Sequence, residues 1–483
     1  MRKIFKNSFF YGAGELLRNA AAMLMVPLYT RFMDPREYGI VAMISATAAF
    51  LSTLFMMGQS DAIMRFYFEF KNEEKRKLYI SSISFFCITV FLVFSLASMF
   101  YGKHFFNKLF PQIPFHPYGI LLVWIVFFSV FESIAFMLLK TEEKAKSFSV
   151  YNLTGFVFNA AIVILFVVYF RMGAFGKVSA DLLYAVVASV FFIRLLRKYI
   201  TCKFSFRAIK ATLRFGLPLV PHQVSLWTIN LSDRYCLQLF GSLAMAGVYS
   251  IGYNITFPIS FLSSSIGMAW TPSFFKTAHE KSAKIDFARM TTYYIMIVIF
   301  ITLAIAVFSS ELIVLIATPN YYSASAVIPV IALGYFFHSL YKIFTKILVY
   351  AKQTMRLSFC TISSALVNIF LNILWIPRYG MKGAAWATLV AFVILFLLSY
   401  AFARKYYNVP YEYSRITGLF FLAVIIYFLS EALKQATISA VGIVFRICLL
   451  GVYVLFLCKS KFFTADEKQK LRLILCEKLK LNR

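Results

Sequence analysis

The sequence predicts an all-α polytopic membrane protein of about fourteen transmembrane helices, with two parallel six-helix repeats forming two lobes around a central cavity and two extra helices at the C-terminal end. Three observations carry this expectation. Of the 483 residues, 61% are hydrophobic and 14% charged, more apolar surface than a soluble domain of that size hides from water. Apolar runs of the roughly 20 residues that a membrane helix needs recur along nearly the whole chain, with short polar connections between them. The chain also resembles itself at an offset close to 208 residues.

The spans fall near residues 8–32, 38–60, 78–100, 117–139, 149–170, 178–197, 213–239, 243–268, 288–309, 325–350, 357–377, 383–403, 415–433 and 438–458. The first contains Glu15 and Arg18 and has no small-residue cleavage site, so it reads as a span and not as a removable leader. With the N-terminus inside, the inner segments hold 35 of the 49 Lys and Arg, the outer connections 8 and the spans 6. That asymmetry is the positive-inside pattern. It requires an even number of crossings with both ends cytoplasmic, and it explains the +29 formal charge without a nucleic-acid partner. The seven cysteines show neither CxxC nor Cys/His spacing, so no disulfide framework, metal site or cofactor is expected.

The internal repeat defines the expected organisation. Arg171-Met-Gly173-Ala-Phe-Gly176 matches Arg378-Tyr-Gly380-Met-Lys-Gly383, Asn159 lies two residues out of step with Asn368, Pro111 falls on Pro319 and Gly39 on Gly247. Residues 1–205 then form an N-lobe of helices 1–6, 206–410 a C-lobe of helices 7–12, 411–460 helices 13 and 14, and 461–483 a basic amphipathic tail. Six helices per copy insert both copies the same way up, which relates them by an axis along the membrane normal. The tail opens on the capping-box pattern Thr464-Ala-Asp-Glu467. Like the linker Arg194–Arg214, with its seven basic residues, it reads as an anchor on the membrane surface.

Ionisable groups inside spans cost about 2.5–3.5 kcal/mol each on insertion scales and face a cavity or one another. Helix 1 places Glu15 and Arg18 one turn apart, where they either pair or line a cavity, and Arg31 near its end, where it can snorkel. Helix 7 carries Pro218, Pro221 and His222, then Asn230, Asp233 and Arg234. Two prolines in one span predict a kink, and Asp233 with Arg234 is either a structural pair or part of a site. Helix 10 sets His338, Lys342 and Lys346 at i, i+4 and i+8, a basic stripe with no carboxylate on the same helix. Asp61 and Arg65 are expected in solvent at the inner end of helix 2, while Glu132 and Arg446 are ambiguous.

The stretch Pro27-Leu-Tyr-Thr-Arg31-Phe-Met-Asp-Pro35-Arg-Glu-Tyr38-Gly39, together with Asp233-Arg234 and Gly247-Val-Tyr249, resembles the polysaccharide transporters. These are the oligosaccharide flippases of the multidrug/oligosaccharidyl-lipid/polysaccharide exporter superfamily. The resemblance implies a protein of a bacterial cytoplasmic membrane that moves an undecaprenyl-diphosphate-linked oligosaccharide between leaflets during surface-polysaccharide assembly, alongside a polymerase machinery. It also implies a coupling ion, proton or sodium, which no residue here identifies. Arg18, Arg31, Arg234, Lys342 and Lys346 would meet the diphosphate, and His222, Asn230 and His338 would line a wet path for the sugars. Two relatives remain open, a peptidoglycan-precursor flippase and a multidrug/cation antiporter. A membrane polymerase or glycosyltransferase would need an acidic pair near the outer surface, and the two longest outer connections hold one carboxylate, Glu311.

Overall fold

A computed structural model describes residues 18, 21–70, 72–201, 203–280, 283–434 and 440–459; Glu15 and the tail lie outside them. All regular structure among these residues is helical. With no water in hydrocarbon to satisfy the backbone, a helix is the form in which an isolated span closes its own hydrogen bonds. The helices are α1 (21–32), α2 (Pro35–Met56), α3 (Gln59–Glu69), α4 (Glu73–Leu109), α5 (Phe115–Thr141), α6 (Ala145–Tyr169), α7 (Gly173–Leu196) and α8 (Phe206–Gly216). They continue as α9 (Val220–Phe240), α10 (Leu243–Thr277), α11 (Ala283–Val307), α12 (Ser309–Ile316), α13 (Ile328–Tyr350), α14 (Thr354–Tyr406), α15 (Tyr413–Lys434) and α16 (Ala440–Lys459).

Nine of these, among the described residues, are long and apolar enough to cross a membrane. The 53-residue α14 crosses twice. At Gly380 its backbone leaves helical geometry (φ 55°, ψ −132°), and the chain turns back so closely that a Cβ on Gly383 would fall 2.5 Å from the Trp375 carbonyl oxygen. With α1, α9, α10 and α16 the crossings number fourteen. The N-lobe turn between α6 and α7 is built the same way: Gly173 has φ 53°, and a Cβ on Gly176 would lie 3.1 Å from the Phe166 carbonyl oxygen. These are the two glycine pairs that the repeat matched, and only a residue without Cβ allows both the left-handed turn and the close return.

The segment around Pro35 acquires a physical meaning. Asp34 caps α2, its carboxylate accepting from the Glu37 amide at 2.7 Å, while Glu37 accepts from the Asp34 amide at 3.3 Å. Pro35 takes the first helical position, where no amide is needed. Ser242 caps α10 at the equivalent position of the other repeat. The two helices then cross at Gly39 and Gly247. A Cβ on Gly39 would lie 2.0 Å from the Leu243 carbonyl oxygen, and one on Gly247 would lie 2.0 Å from the Pro35 carbonyl oxygen. Leu243 is to Pro35 as Gly247 is to Gly39, so the contact is reciprocal, as an axis between α2 and α10 requires.

The same end is sewn together by side chains. Thr30 donates to the Ile316 carbonyl (3.2 Å), Thr318 to that of Thr30 (2.9 Å), and Tyr321 to that of Met33 (2.9 Å). Gln112 donates to the Gln238 carbonyl and accepts from the Leu243 amide. Away from the lobe interface, α15 packs on α11 and α16 on α15.

Three expectations change. Span 2 does not run straight to residue 60: Met57 and Gly58 both take positive φ, ending α2 and starting the short α3. Asp61 on α3 is half-buried and accepts from Gln223 of α9 at 3.0 Å, so it joins the lobes instead of standing in solvent. Pro218 and Pro221 break the regular helix at the join of α8 and α9 and not within the span: they occupy a 3-10 turn (Leu217–Leu219) and the first turn of α9.

Gly39→Ala and Gly247→Ala should lower the melting temperature to a similar degree, by about 1–3 kcal/mol of stability each from overpacking. Gly418→Ala should not, because nothing lies within 4 Å of a Cβ there. Thermal unfolding of the purified variants followed by size-exclusion chromatography checks the comparison.

Candidate functional site: a basic cavity in the C-terminal lobe

On α13 the 3.6-residue period brings His338, Lys342 and Lys346 onto one face, and the structure turns that face toward α10. The Lys342 ammonium donates to the Ser260 carbonyl (3.2 Å), the Ser260 hydroxyl (3.1 Å) and the Ser264 hydroxyl (2.9 Å). One turn further, Lys346 donates to the Gly267 carbonyl at 2.7 Å and lies 5.4 Å from the ring centroid of Trp270. A Cβ at 267 would come within 2.9 Å of that ammonium, so glycine keeps the carbonyl accessible.

From α9, His222 and Asn230 face the same space. His222 Nδ1 is 3.0 Å from the Thr361 hydroxyl, and Asn230 donates to the Leu226 carbonyl at 2.7 Å. Together with Trp270, Tyr294 and Tyr341 these residues border a cavity of about 500 Å³ that, among the described residues, no carboxylate lines. His338 is buried with its ring 4.8 Å from that of Phe392, and its Nδ1 has no hydrogen-bond partner among the described residues. Five of the sequence candidates (His222, Asn230, His338, Lys342 and Lys346) thus meet in one cavity from two helices.

The other candidates stand elsewhere. Arg234 is buried behind the cavity. It donates from Nε to Ser250 (3.1 Å) and from Nη1 to the Asn230 carbonyl (2.8 Å), pairs with Asp233 at 3.3 Å, and lies 4.4 Å from the centroid of Tyr253. Asp233 accepts from Thr388 on α14 at 3.5 Å. The pair is therefore an internal tie between α9, α10 and α14, the structural alternative weighed above. Arg31 is exposed at the end of α1. Arg18, also exposed, lies within electrostatic reach of Glu132 and Tyr184, which hydrogen-bond each other at 3.1 Å in the N-lobe. Arg446 is buried and pairs with Glu311 of α12, pinning α16 to the C-lobe.

One cluster escaped the sequence reading. Lys177, expected in an outer connection, lies within α7 and pairs with Asp181, which also accepts from Asn159 of α6 at 3.1 Å. The i, i+4 Lys/Asp spacing was the available signal. Thr388 lies one repeat length after Asp181, and near it Asn368 accepts from Ser232 and from Asn372, both at 3.1 Å. The N-lobe thus carries a polar knot between α6 and α7, and the C-lobe one between α9 and α14.

What fold and cavity define is a duplicated, two-lobed membrane transporter with a cationic chamber in one lobe. Residues 4–278, more than half the chain, match the family described as "Polysaccharide biosynthesis protein", and residues 218–374 match MatE. The chain belongs to the polysaccharide biosynthesis protein family and is a flippase or transporter of the multidrug/oligosaccharidyl-lipid/polysaccharide exporter superfamily. It is 22% identical over 395 residues to an uncharacterized membrane protein of Haemophilus influenzae, covering 79% of this chain and 94% of that one. A Methanocaldococcus jannaschii membrane protein is 25% identical over 425 residues, with 80% and 97% covered. The fold is similar to that of the lipid II flippase MurJ in an inward closed conformation (TM-score 0.71, 15% identity, 94% of this chain and 99% of that one). It is also similar to that of an inward-facing multidrug resistance MATE family transporter (TM-score 0.62, 15% identity, 84% and 94%).

Asp233→Asn should destabilise the protein by about 3–5 kcal/mol, because it leaves the Arg234 guanidinium buried without its counter-charge. Asp233→Asn combined with Arg234→Met should recover much of that loss. Thermal melts of the two variants and their parent test this; equal melting of single and double variants would argue against the tie.

Proposed function

We propose that the protein carries an undecaprenyl-diphosphate-linked oligosaccharide between the leaflets of a bacterial cytoplasmic membrane, supplying the assembly of O-antigen, capsule or exopolysaccharide. The observation that carries this reading is the C-lobe cavity, which holds two lysines and two histidines and, among the described residues, no carboxylate on its walls. A diphosphate is the compact, multiply charged anion that such a chamber suits. Lys342 and Lys346 would exchange neutral serine and carbonyl oxygens for anionic phosphate oxygens, adding attraction between opposite full charges to bonds that the ammonium already makes charge-assisted. His222, Asn230 and the tyrosine hydroxyls would meet the first sugars. Arg18 and Arg31, both exposed, would serve the approach of the headgroup and not its seat.

Transport would proceed by alternating access between residues 1–205 and 206–410, with 411–460 as an appended helical pair. With both termini cytoplasmic, the end closed by Gly39, Gly247, Thr30 and Gln112 faces outward, and the described state would receive cargo from inside. Outward release would require the reciprocal glycine contact and its neutral hydrogen bonds to part.

A second reading, a flippase for the peptidoglycan lipid precursor, is favoured by the likeness in fold to the lipid II flippase over 94% of this chain. Both cargoes present a diphosphate, so the cavity serves either. The family that the chain belongs to favours the polysaccharide. A drug-cation antiporter fits less well, since a cation would meet two ammonium groups.

Reconstitution into liposomes tests the reading. An added glycosidase should cut lipid-linked oligosaccharide faster with the protein than without it, under an imposed proton or sodium gradient. Lys342→Gln and Lys346→Gln should each slow this by about tenfold or more, the worth of one hydrogen bond to a charged group. Arg31→Gln should have a smaller effect. An unchanged rate in both lysine variants would remove the cavity from the pathway, and no acceleration by the parent protein would point to a different cargo.

A further inference from the structure

The linker between the repeats leaves a surface that neither fold nor transport uses. Between residues 194 and 214 the chain has seven Lys and Arg and no Asp or Glu. One face of α8 is fixed to the protein: Ala208, Ile209 and Thr212 are buried, and α8 packs on α3 and α4. Its start is tied to α4, with the Ser205 amide donating to Ser82 (3.0 Å) and Ser81 donating to the Thr201 carbonyl (2.8 Å). Arg65 of α3 lies 4.5 Å from the centroid of Phe215 at the other end.

The opposite face is bare. Phe206 is 80% exposed, Phe204 46% and Leu217 48%, while Lys203, Arg207, Lys210 and Arg214 are all exposed. None of these four cations is in an ion pair among the described residues. Phe206, Lys210 and Arg214 follow one another at i, i+4 and i+8 along the helix. Large apolar side chains beside unpaired cations, on a helix at the boundary where α7 ends and α9 begins, are complementary to a lipid interface. The rings enter the acyl boundary and the cations meet headgroups.

We propose that α8 is a docking surface for acidic phospholipid headgroups, a lipid partner distinct from the transported cargo and independent of what that cargo is. Its placement gives the contact a mechanical consequence. The last residue of α8, Gly216, abuts Gly58, so closely that a Cβ at 216 would lie 2.5 Å from the Met57 carbonyl oxygen. From there the chain passes through Leu217–Leu219 into α9, which carries Gln223 to Asp61 and His222 to the cavity. A lipid held on α8 therefore bears on the joint where α2 gives way to α3.

The test is to purify the full-length protein in neutral detergent, add graded mixtures of phosphatidylglycerol and phosphatidylcholine, and count retained lipids by native mass spectrometry. The parent should retain phosphatidylglycerol in preference to phosphatidylcholine, and raised salt should weaken that preference. The triple variant Arg207→Gln/Lys210→Gln/Arg214→Gln should lose affinity by roughly fivefold per charge removed, with unchanged elution and melting because all three side chains are exposed. Lys103→Gln/Lys108→Gln, which removes exposed cations from α4, is the control and should retain lipid as the parent does. Equal retention by the parent and the triple variant, or an equal loss in the control pair, would overturn the proposal. Because the readout is lipid retention, it stands apart from any failure of the transport assay.

Discussion

A polar group inside hydrocarbon must find its partner within the protein, and the way each buried charge meets that demand organises this molecule. Arg234 meets Asp233, Lys177 meets Asp181, and Arg446 meets Glu311. Each of these pairs is neutral as a unit, and each ties helices together. Lys342 and Lys346 are handled differently: their partners are hydroxyl and carbonyl dipoles of α10. Dipoles satisfy donors without cancelling charge. The C-lobe cavity therefore keeps a positive character that the ion-paired regions have given up, and it is on this difference that the proposed site rests.

The two lobes meet by the same economy. At the Asp34 end the contact is made by glycines against carbonyls and by neutral hydrogen bonds from Thr30, Thr318, Tyr321 and Gln112. The long side chains that bridge this seam, Tyr321 to the Met33 carbonyl and Asn254 of α10 to the Tyr38 hydroxyl, do so through neutral hydrogen bonds, with no ion pair among these contacts. Each hydrogen bond has a net worth of about 1 kcal/mol in competition with water, so water entering the opened seam replaces most of what is lost. Van der Waals contact between helix backbones, which glycine permits, holds the closed form. An interface of this kind can be specific in geometry and still shallow in energy, which is what the proposed alternating access would require.

Much of this was legible in the sequence because it is periodic. The apolar runs and the glycine pairs at 173/176 and 380/383 express a one-dimensional pattern, and the fold repeats it. The stripe on α13 was legible for the same reason, since i, i+4 and i+8 share a face whatever the tertiary structure. What could not be read was which face meets which neighbour. In the sequence Arg234 already stands beside Asp233 and Lys342 has no carboxylate on its helix, but which neighbours each cation meets, Ser250 and Tyr253 for the one and Ser260 and Ser264 for the other, appears only in the fold. Asp61 found Gln223 across a sequence gap that no spacing rule bridges. Pro218 and Pro221 were misplaced because α8 lengthened the apparent span and hid the true start of α9.

The choice of partners for Lys342 and Lys346 also bears on turnover. A carboxylate opposite each lysine would bind it tightly and neutralise it, and an arriving anion would have to displace a full charge. With no partner at all, two ammonium groups one turn apart would repel each other in a poorly solvated chamber and make the empty state costly. Serine hydroxyls and the carbonyls of Ser260 and Gly267 lie between these limits. They stabilise the empty cavity, yet they are weaker acceptors than phosphate oxygens, so under the proposed function a diphosphate would replace them on entry and be replaced by them on exit. A carrier needs that reversibility more than it needs affinity, because a cargo bound too well on one side is not released on the other. Gly267 makes it possible at Lys346, since a side chain there would crowd the ammonium away from the acceptor to which it returns.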